Sequence, residues 1–171
     1  DGTLTGVTLN TADEKLGTGC YEFAGGGDDQ FLTGAVQLFP TGTSDYTLSL
    51  WIRFDTLSGS QELIRGGNSE EVEINYSNGN GIYFTRSGGN TLLLAYANMA
   101  VDTWYNIVIK NSGGTTYGYV NYNAYTANAT SLSLGSGTAW RIGARSSSSE
   151  SLNGKIDDFV TKSTKKAIIK K

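Results

Sequence analysis

Apolar and polar residues alternate with a period of two through most of the chain. In Tyr46–Phe54, Leu48, Leu50, Ile52 and Phe54 fall on one face, and Thr47, Ser49, Trp51 and Arg53 on the other. Successive strand side chains point to opposite faces, so this pattern predicts a half-buried β-strand. Val72, Ile74 and Tyr76 alternate in the same way with Glu71, Glu73 and Asn75. Asn78-Gly79-Asn80-Gly81 then supplies a hairpin turn, because Asn and Gly tolerate positive φ. Ile82–Arg86 is the return strand, and Ser87-Gly88-Gly89-Asn90 turns into Thr91–Ala97. Trp104–Lys110 places Tyr105, Ile107 and Ile109 on one face, and Asn111-Ser112-Gly113-Gly114 turns again. In Thr115–Tyr125, Tyr117, Tyr119 and Asn121 alternate with Gly118, Val120 and Tyr122. Ser131–Leu134, Thr138–Ala144 and Lys155–Lys162 complete the series.

No segment carries a sustained period of 3.6 with caps, so almost no helix is expected. About twelve short strands joined by Gly-rich turns predict an all-β sandwich or barrel. No repeat of fixed length runs through the chain, which argues against a propeller or solenoid. The 171 residues suit one domain, placed at residues 1–162, with 163–171 as a basic tail or linker. Leu48, Leu50, Ile52, Phe54, Ile107 and Ile109 are the expected core.

Composition narrows the chemistry. The chain has no His, which removes Ser-His-Asp and Cys-His nucleophile systems and His-ligated zinc. Its one Cys, Cys20, excludes an internal disulfide and cysteine-cluster metal sites, and is expected to pack as a small buried hydrophobe. Residues 1–154 carry 7 Lys/Arg against 14 Asp/Glu, while residues 155–171 carry 6 Lys against 2 Asp. The acidic body argues against nucleic acid as its partner. No run approaches the roughly 18 apolar residues of a membrane-spanning helix. The Ser/Thr/Asn/Gly-rich composition suits an extracellular, cell-surface or virion-surface protein.

An ordered set of short motifs accompanies the strands. Gly2-Thr3-Leu4-Thr5-Gly6-Val7 opens the chain. Gly19-Cys20-Tyr21-Glu22-Phe23 and Gly25-Gly26-Gly27-Asp28-Asp29-Gln30-Phe31 follow. Tyr46-Thr47-Leu48-Ser49-Leu50-Trp51-Ile52 and Thr103-Trp104-Tyr105-Asn106-Ile107-Val108 come next. Ile142-Gly143 and Leu152-Asn153-Gly154-Lys155-Ile156-Asp157-Asp158-Phe159 end the set. In this order they resemble the concanavalin A-like lectin/glucanase superfamily, in its laminin G-like and pentraxin-like branch. The resemblance covers Gly2 to Phe159 and implies a jelly-roll sandwich of two antiparallel sheets, one concave and one convex. It places Trp51 and Trp104 in the core and the family's first strand ahead of residue 1. The family's "Y-v-N-G" hairpin stands as Tyr119-Val120-Asn121-Tyr122, and with Tyr in place of Gly a different turn is expected.

Three sets of site residues follow. Asp28, Asp29, Asp157 and Asp158 are candidate ligands for a structural calcium, which needs several hard oxygens. The resemblance brings the early Asp-Asp loop close to the late Ile-Asp-Asp strand; the alternative is that these residues anchor turns. Glu71, Glu73 and Asn75 resemble the "E-x-D-x-E" triad of retaining β-glucanases. Retaining chemistry needs two carboxyl groups about 5–5.5 Å apart, one of them a proton donor. Asn75 cannot protonate a leaving group, so a polar strand face is the expectation and the chain is read as not an enzyme. Glu73, Asn75, Tyr117, Tyr119, Trp140 and Arg141 are candidate glycan contacts, since sugars stack on aromatic rings and bond amides, carboxylates and Arg. Tyr117, Tyr119, Trp140 and Glu73 are expected to converge on the concave sheet or its rim. The function expected is a non-catalytic carbohydrate-binding or adhesion module, with a glycan or neighbouring protein subunits as partners. A structural interaction domain of a capsid, fibre or surface layer remains the alternative, and a glycoside hydrolase a more remote one.

Overall fold

The computed structural model describes residues 3–26, 30–34, 45–66, 72–86, 89–113, 115–125, 140–144 and 150–163. The chain forms β1 (Thr3–Thr5), β2 (Thr8–Asn10), β3 (Cys20–Ala24), β4 (Phe31–Gly34) and β5 (Tyr46–Phe54). It continues with β6 (Gln61–Gly66), β7 (Val72–Ser77), β8 (Gly81–Arg86), β9 (Gly89–Ala95) and β10 (Trp104–Ser112). β11 (Thr115–Val120), β12 (Asn123–Tyr125), β13 (Trp140–Ile142) and β14 (Asn153–Ser163) complete it. These strands make two seven-stranded sheets. The front sheet runs β1-β4-β13-β6-β7-β8-β9 and the back sheet β12-β11-β10-β5-β14-β3-β2. All the ladders are antiparallel, giving the all-β jelly-roll sandwich expected from the alternation and the motifs. The helical content among the described residues is one turn of 3-10 helix, Tyr96–Asn98, and no described helix is long and apolar enough to cross a membrane.

β5 sits between β10 and β14, and its alternation sets the core. Tyr46, Leu48, Leu50, Ile52 and Phe54 are buried, while the residues between them are half-buried on the outer face. Ile107 lies opposite Leu50, Ile109 opposite Leu48 and Ile156 opposite Ile52, so neighbouring strands add to the same apolar layer. The front sheet answers with Ile64, Ile74, Tyr76, Ile82, Leu93 and Ile142. Two motif glycines exist because of this packing. Gly143 has φ +94, and a Cβ there would stand 2.2 Å from the Phe23 ring. A Cβ on Gly154 would stand 2.1 Å from the carbonyl oxygen of Arg53 on the neighbouring strand.

The structure corrects two expectations. Trp51 and Trp104 are not in the core: they alternate out of it and lie half-buried on the outer face of the back sheet. Thr115–Tyr125 is not one strand but two, β11 and β12, closed by Asn121-Tyr122. The turn closes with two residues at positive φ although neither is Gly. Asn121 takes φ 48 and Tyr122 φ 69, so Tyr122 adopts the left-handed conformation that suits Gly. Asn121 helps hold it there: its side-chain oxygen accepts from the Asn106 N–H at 2.9 Å, and its own N–H donates to the Asn106 carbonyl at 2.9 Å. The predicted strand Ser131–Leu134 and the basic tail beyond Ser163 lie outside the described residues.

The turn is directly testable. Tyr122 is 79% exposed, so replacing it removes backbone strain without removing packing. Tyr122→Gly is expected to raise the unfolding free energy by about 0.5–1 kcal/mol, the strain relieved less the added freedom of the unfolded chain. Urea denaturation measures it, and a loss of stability would mean that the ring contributes contacts.

Candidate functional site

The outer faces of the two sheets are occupied differently. On the back sheet, residues 11–19 connect β2 to β3 and are tied to Asp157 of β14. The Oδ2 of Asp157 accepts from the N–H groups of Lys15 and Leu16, both at 2.8 Å. Its Oδ1 accepts from the Asp158 N–H at 2.7 Å, at the β14 bulge where Asp158 takes φ 46. The Lys15 ammonium stands 4.7 Å from the centroid of the Trp51 ring. Beside this connection the Lys155 ammonium lies 3.3 Å from Asp55, 3.4 Å from Glu22 and 3.6 Å from Asp13. Arg53 lies 2.6 Å from Asp102 and 3.6 Å from both Asp13 and Asp55. Burial by itself would lower the pKa of Lys155, but Asp55 and Glu22 outweigh it and hold the group above its ordinary value. Arg53 is likewise raised: Asp102 and Asp55 overcome its desolvation. Cys20 is buried on the same side of β3 as Glu22; burial, then the charge of Asp157, pushes its thiol pKa up. Over β3, β14 and β5 this face is used to hold its own connection in place.

The outer face of the front sheet carries a different set. Trp140 and Ile142 pack toward the core, so Arg141 between them points out. It lies opposite Arg65 of β6, and Arg65 lies opposite Glu73 of β7. Arg65 Nη1 is 2.9 Å from Glu73 Oε1, and Asn75 Nδ2 donates to Glu73 Oε2 at 3.3 Å. Both oxygens of Glu73 are thus engaged, and the residue is 6% exposed although it faces away from the core. The next row runs Glu62, Asn75, Tyr83 across β6, β7 and β8.

Asn75 and Tyr83 open into a polar pocket of about 390 Å³ with Ser60, Ser77, Asn80 and Glu150. Its rim is fixed by buried groups. Tyr76, with its hydroxyl pKa raised by burial, donates to the Leu57 carbonyl at 2.7 Å. Gln61 donates to the Thr56 carbonyl at 2.8 Å and accepts from the Asn153 N–H at 2.9 Å. Together they pin the connection from β5 to β6 against the sheets.

The expected convergence of Tyr117, Tyr119, Trp140 and Glu73 does not occur. Tyr117 and Tyr119 alternate with buried Thr116 and Val120, and so lie on the outer face of the back sheet. Glu73 and Asn75 are on the opposite outer face of the sandwich. Trp140 turns inward, half-buried, beside a second cavity of about 340 Å³ between the sheets, with Leu32, Ile142, Ile156 and Phe159. Of the aspartates, Asp28 and Asp29 lie outside the described residues, as does Glu71. Asp157 takes the turn-anchoring role, with three backbone N–H groups on its carboxylate, while Asp158 is exposed. No group of three or more His, Cys, Asp or Glu among the described residues is placed to hold a metal ion.

Residues 25–163 match a laminin G family described as the concanavalin A-like lectin/glucanases superfamily. The chain belongs to this superfamily. No curated protein matches its sequence significantly. Domain 4 of AbnA, an extracellular GH43 arabinanase of Geobacillus stearothermophilus solved with arabinotriose, superposes with a TM-score of 0.68 at 16% identity. That match covers 94% of this chain and 81% of the other. The cellulose-induced protein Cip1 gives a TM-score of 0.66 at 17% identity, over 95% and 86% of the two chains. The receptor-binding domain of botulinum neurotoxin type G gives 0.66 at 15% identity, over 94% of this chain and 42% of that one. Within the superfamily fold, the motif glycines and the apolar alternation of this chain form the sandwich.

Tyr83 and Arg65 escaped the sequence reading. The signal for Tyr83 was present: it alternates with Ile82 and Phe84 right after a strong turn, so it had to face out beside Asn75. Arg65 gave none, because its partner Glu73 is assigned only by the β6–β7 register, which contains a bulge.

Two substitutions test this division of labour. Glu73→Gln removes the charge that Arg65 meets at 2.9 Å and is expected to cost about 1–3 kcal/mol, read as a lower urea midpoint at unchanged m. An unchanged midpoint would mean that the pair is not structural. Asp157→Ala removes the anchor of residues 11–19 and is expected to speed labelling of Cys20 by a thiol reagent about tenfold or more. Labelling as slow as in the parent would show that the connection stays closed without it.

Proposed function

We propose that the chain is a non-catalytic carbohydrate-binding module whose front face, around Asn75 and Tyr83, receives the sugar. The observation that carries this reading is the polar pocket, which sets an aromatic ring beside amide, hydroxyl and carboxylate groups on a rigid sheet. A sugar presents both an apolar C–H face and a rim of hydroxyls, and it needs both kinds of partner at once. The AbnA domain solved with arabinotriose has the same fold, which supports a sugar as the ligand class. The non-catalytic part rests on Glu73 and Asn75. Glu73 is held by Arg65 and Asn75 on its two oxygens, and the third position of the strand motif is an amide. Neither is arranged as a proton donor or a nucleophile. The reading does not use calcium, because the carboxylate of Asp157 is already committed to backbone N–H groups. A module of this kind acts outside the cell, in keeping with the extracellular arabinanase among the similar structures.

Titration of the chain with arabino-, gluco- and galacto-oligosaccharides tests it. Tyr83→Ala is expected to weaken binding by about 1–2 kcal/mol while the melting temperature holds; Asn75→Ala is expected to weaken it by a similar amount and also to lower the melting temperature, because Asn75 donates to the buried Glu73. Sugar binding that is indifferent to both substitutions would move the site off this face.

A further inference from the structure

We propose that the glycan recognised on the front face is an anionic one, and that Arg141 binds its carboxylate or sulfate group. The inference rests on the carbohydrate-binding reading of that face and names the ligand class. Arg141 projects outward from β13, between Thr33 on one neighbouring strand and Arg65 on the other. Its guanidinium carbon stands 4.2 Å from the centroid of the Phe31 ring. Stacking uses the flat face of a guanidinium and leaves the N–H donors along its edge available. Among the described residues, no carboxylate and no hydrogen-bond acceptor engages Arg141. Two other arginines of the sheets, by contrast, face carboxylates: Arg53 meets Asp13, Asp55 and Asp102, and Arg65 meets Glu73.

The shortage is not one of carboxylates, because the chain has 16 Asp and Glu against 13 Lys and Arg. Like charges directly opposite each other on neighbouring strands are unfavourable. The pairing of Arg141 with Arg65 therefore keeps a cost that one acidic substitution would remove. A planar, pre-positioned fork beside a second guanidinium matches a carboxylate or sulfate, which can accept two N–H bonds at once. Glu73 does not compete for Arg141, because its oxygens are held by Arg65 and Asn75. Two strand spacings, about 10 Å, separate Arg141 from the strand of Asn75, within reach of an oligosaccharide seated in the pocket.

The test titrates the chain with three probes at low and at physiological salt: neutral arabino-oligosaccharides, oligogalacturonates and heparin-derived oligosaccharides. An acidic probe is expected to bind at least about tenfold tighter than the neutral one, a preference that salt weakens. Oligogalacturonate carries carboxylates alone, so its preference over the neutral probe assigns a carboxylate, while a heparin fragment that leads with oligogalacturonate no better than neutral assigns a sulfate. Arg141→Gln is expected to bring the acidic-to-neutral affinity ratio close to one. Arg141→Lys keeps the charge without the fork and is expected to fall between the two; it serves also if the Gln variant does not fold. A folded variant that retains the full preference overturns the proposal, as does a parent protein that binds neutral and acidic probes equally. In both cases the carbohydrate-binding reading survives. A parent protein that binds none of the three defeats both.

Discussion

Side chains of a strand alternate between two faces, and every feature of this sandwich follows from how the two sets are used. In β5 the inner set is Leu48, Leu50, Ile52 and Phe54, all fully buried, and the outer set is Thr47, Ser49, Trp51 and Arg53. A slip of one residue would exchange the sets, putting Arg53 in the core and Leu50 in water. Register is therefore held by the core, and whatever the outer set does is placed by the same register. Gly143 and Gly154 serve the same end, because a side chain at either would push Phe23 or the β5 backbone away.

The outer sets of the two sheets meet the problem of charge near a low-dielectric core in different ways. The back sheet surrounds Lys155 and Arg53 with Asp13, Glu22, Asp55 and Asp102, and hangs the 11–19 connection on Asp157. Buried pairs gain little net stability, because desolvation offsets most of their attraction. What this network achieves is position: it holds a polar connection over Trp51 and Cys20 that has little apolar surface to hold it otherwise. The front sheet matches Arg65 to Glu73, links Asn75 to the same carboxylate, and leaves Arg141 on Phe31. The β3, β14 and β5 part of the back face is covered by its own chain, while the front face presents polar groups already oriented.

That separation explains why structures at 15–17% identity share the sandwich so completely. The inner set needs only apolar volume in alternate positions, which many sequences satisfy. The outer set is nearly free of that requirement and can be rewritten residue by residue. Shared fold thus carries little information about the ligand, which has to be argued from the outward groups of this chain.

The sequence by itself determined the class of structure, because period-two alternation, Gly-rich turns and the motif glycines act over a few neighbouring residues. It determined most of the core, since Leu48, Leu50, Ile52, Phe54, Ile107 and Ile109 could be assigned from their own strands. It also placed Glu73 and Asn75 together on one outward face. It could not say which outer face each strand shared with which other. Tyr117 and Glu73 both read as outward aromatic or polar residues, yet they stand on opposite sides of the molecule. Asp157 read as a calcium ligand or as a turn anchor, and only the fold brought the N–H groups of Lys15 and Leu16 against its carboxylate. Arg65 and Arg141 acquired their meaning only beside Glu73 and Phe31. The reason is physical: alternation is local, whereas strand order and cross-strand pairing come from contacts between segments far apart in the chain, and those contacts alone decide which charge meets a carboxylate and which lies against a ring.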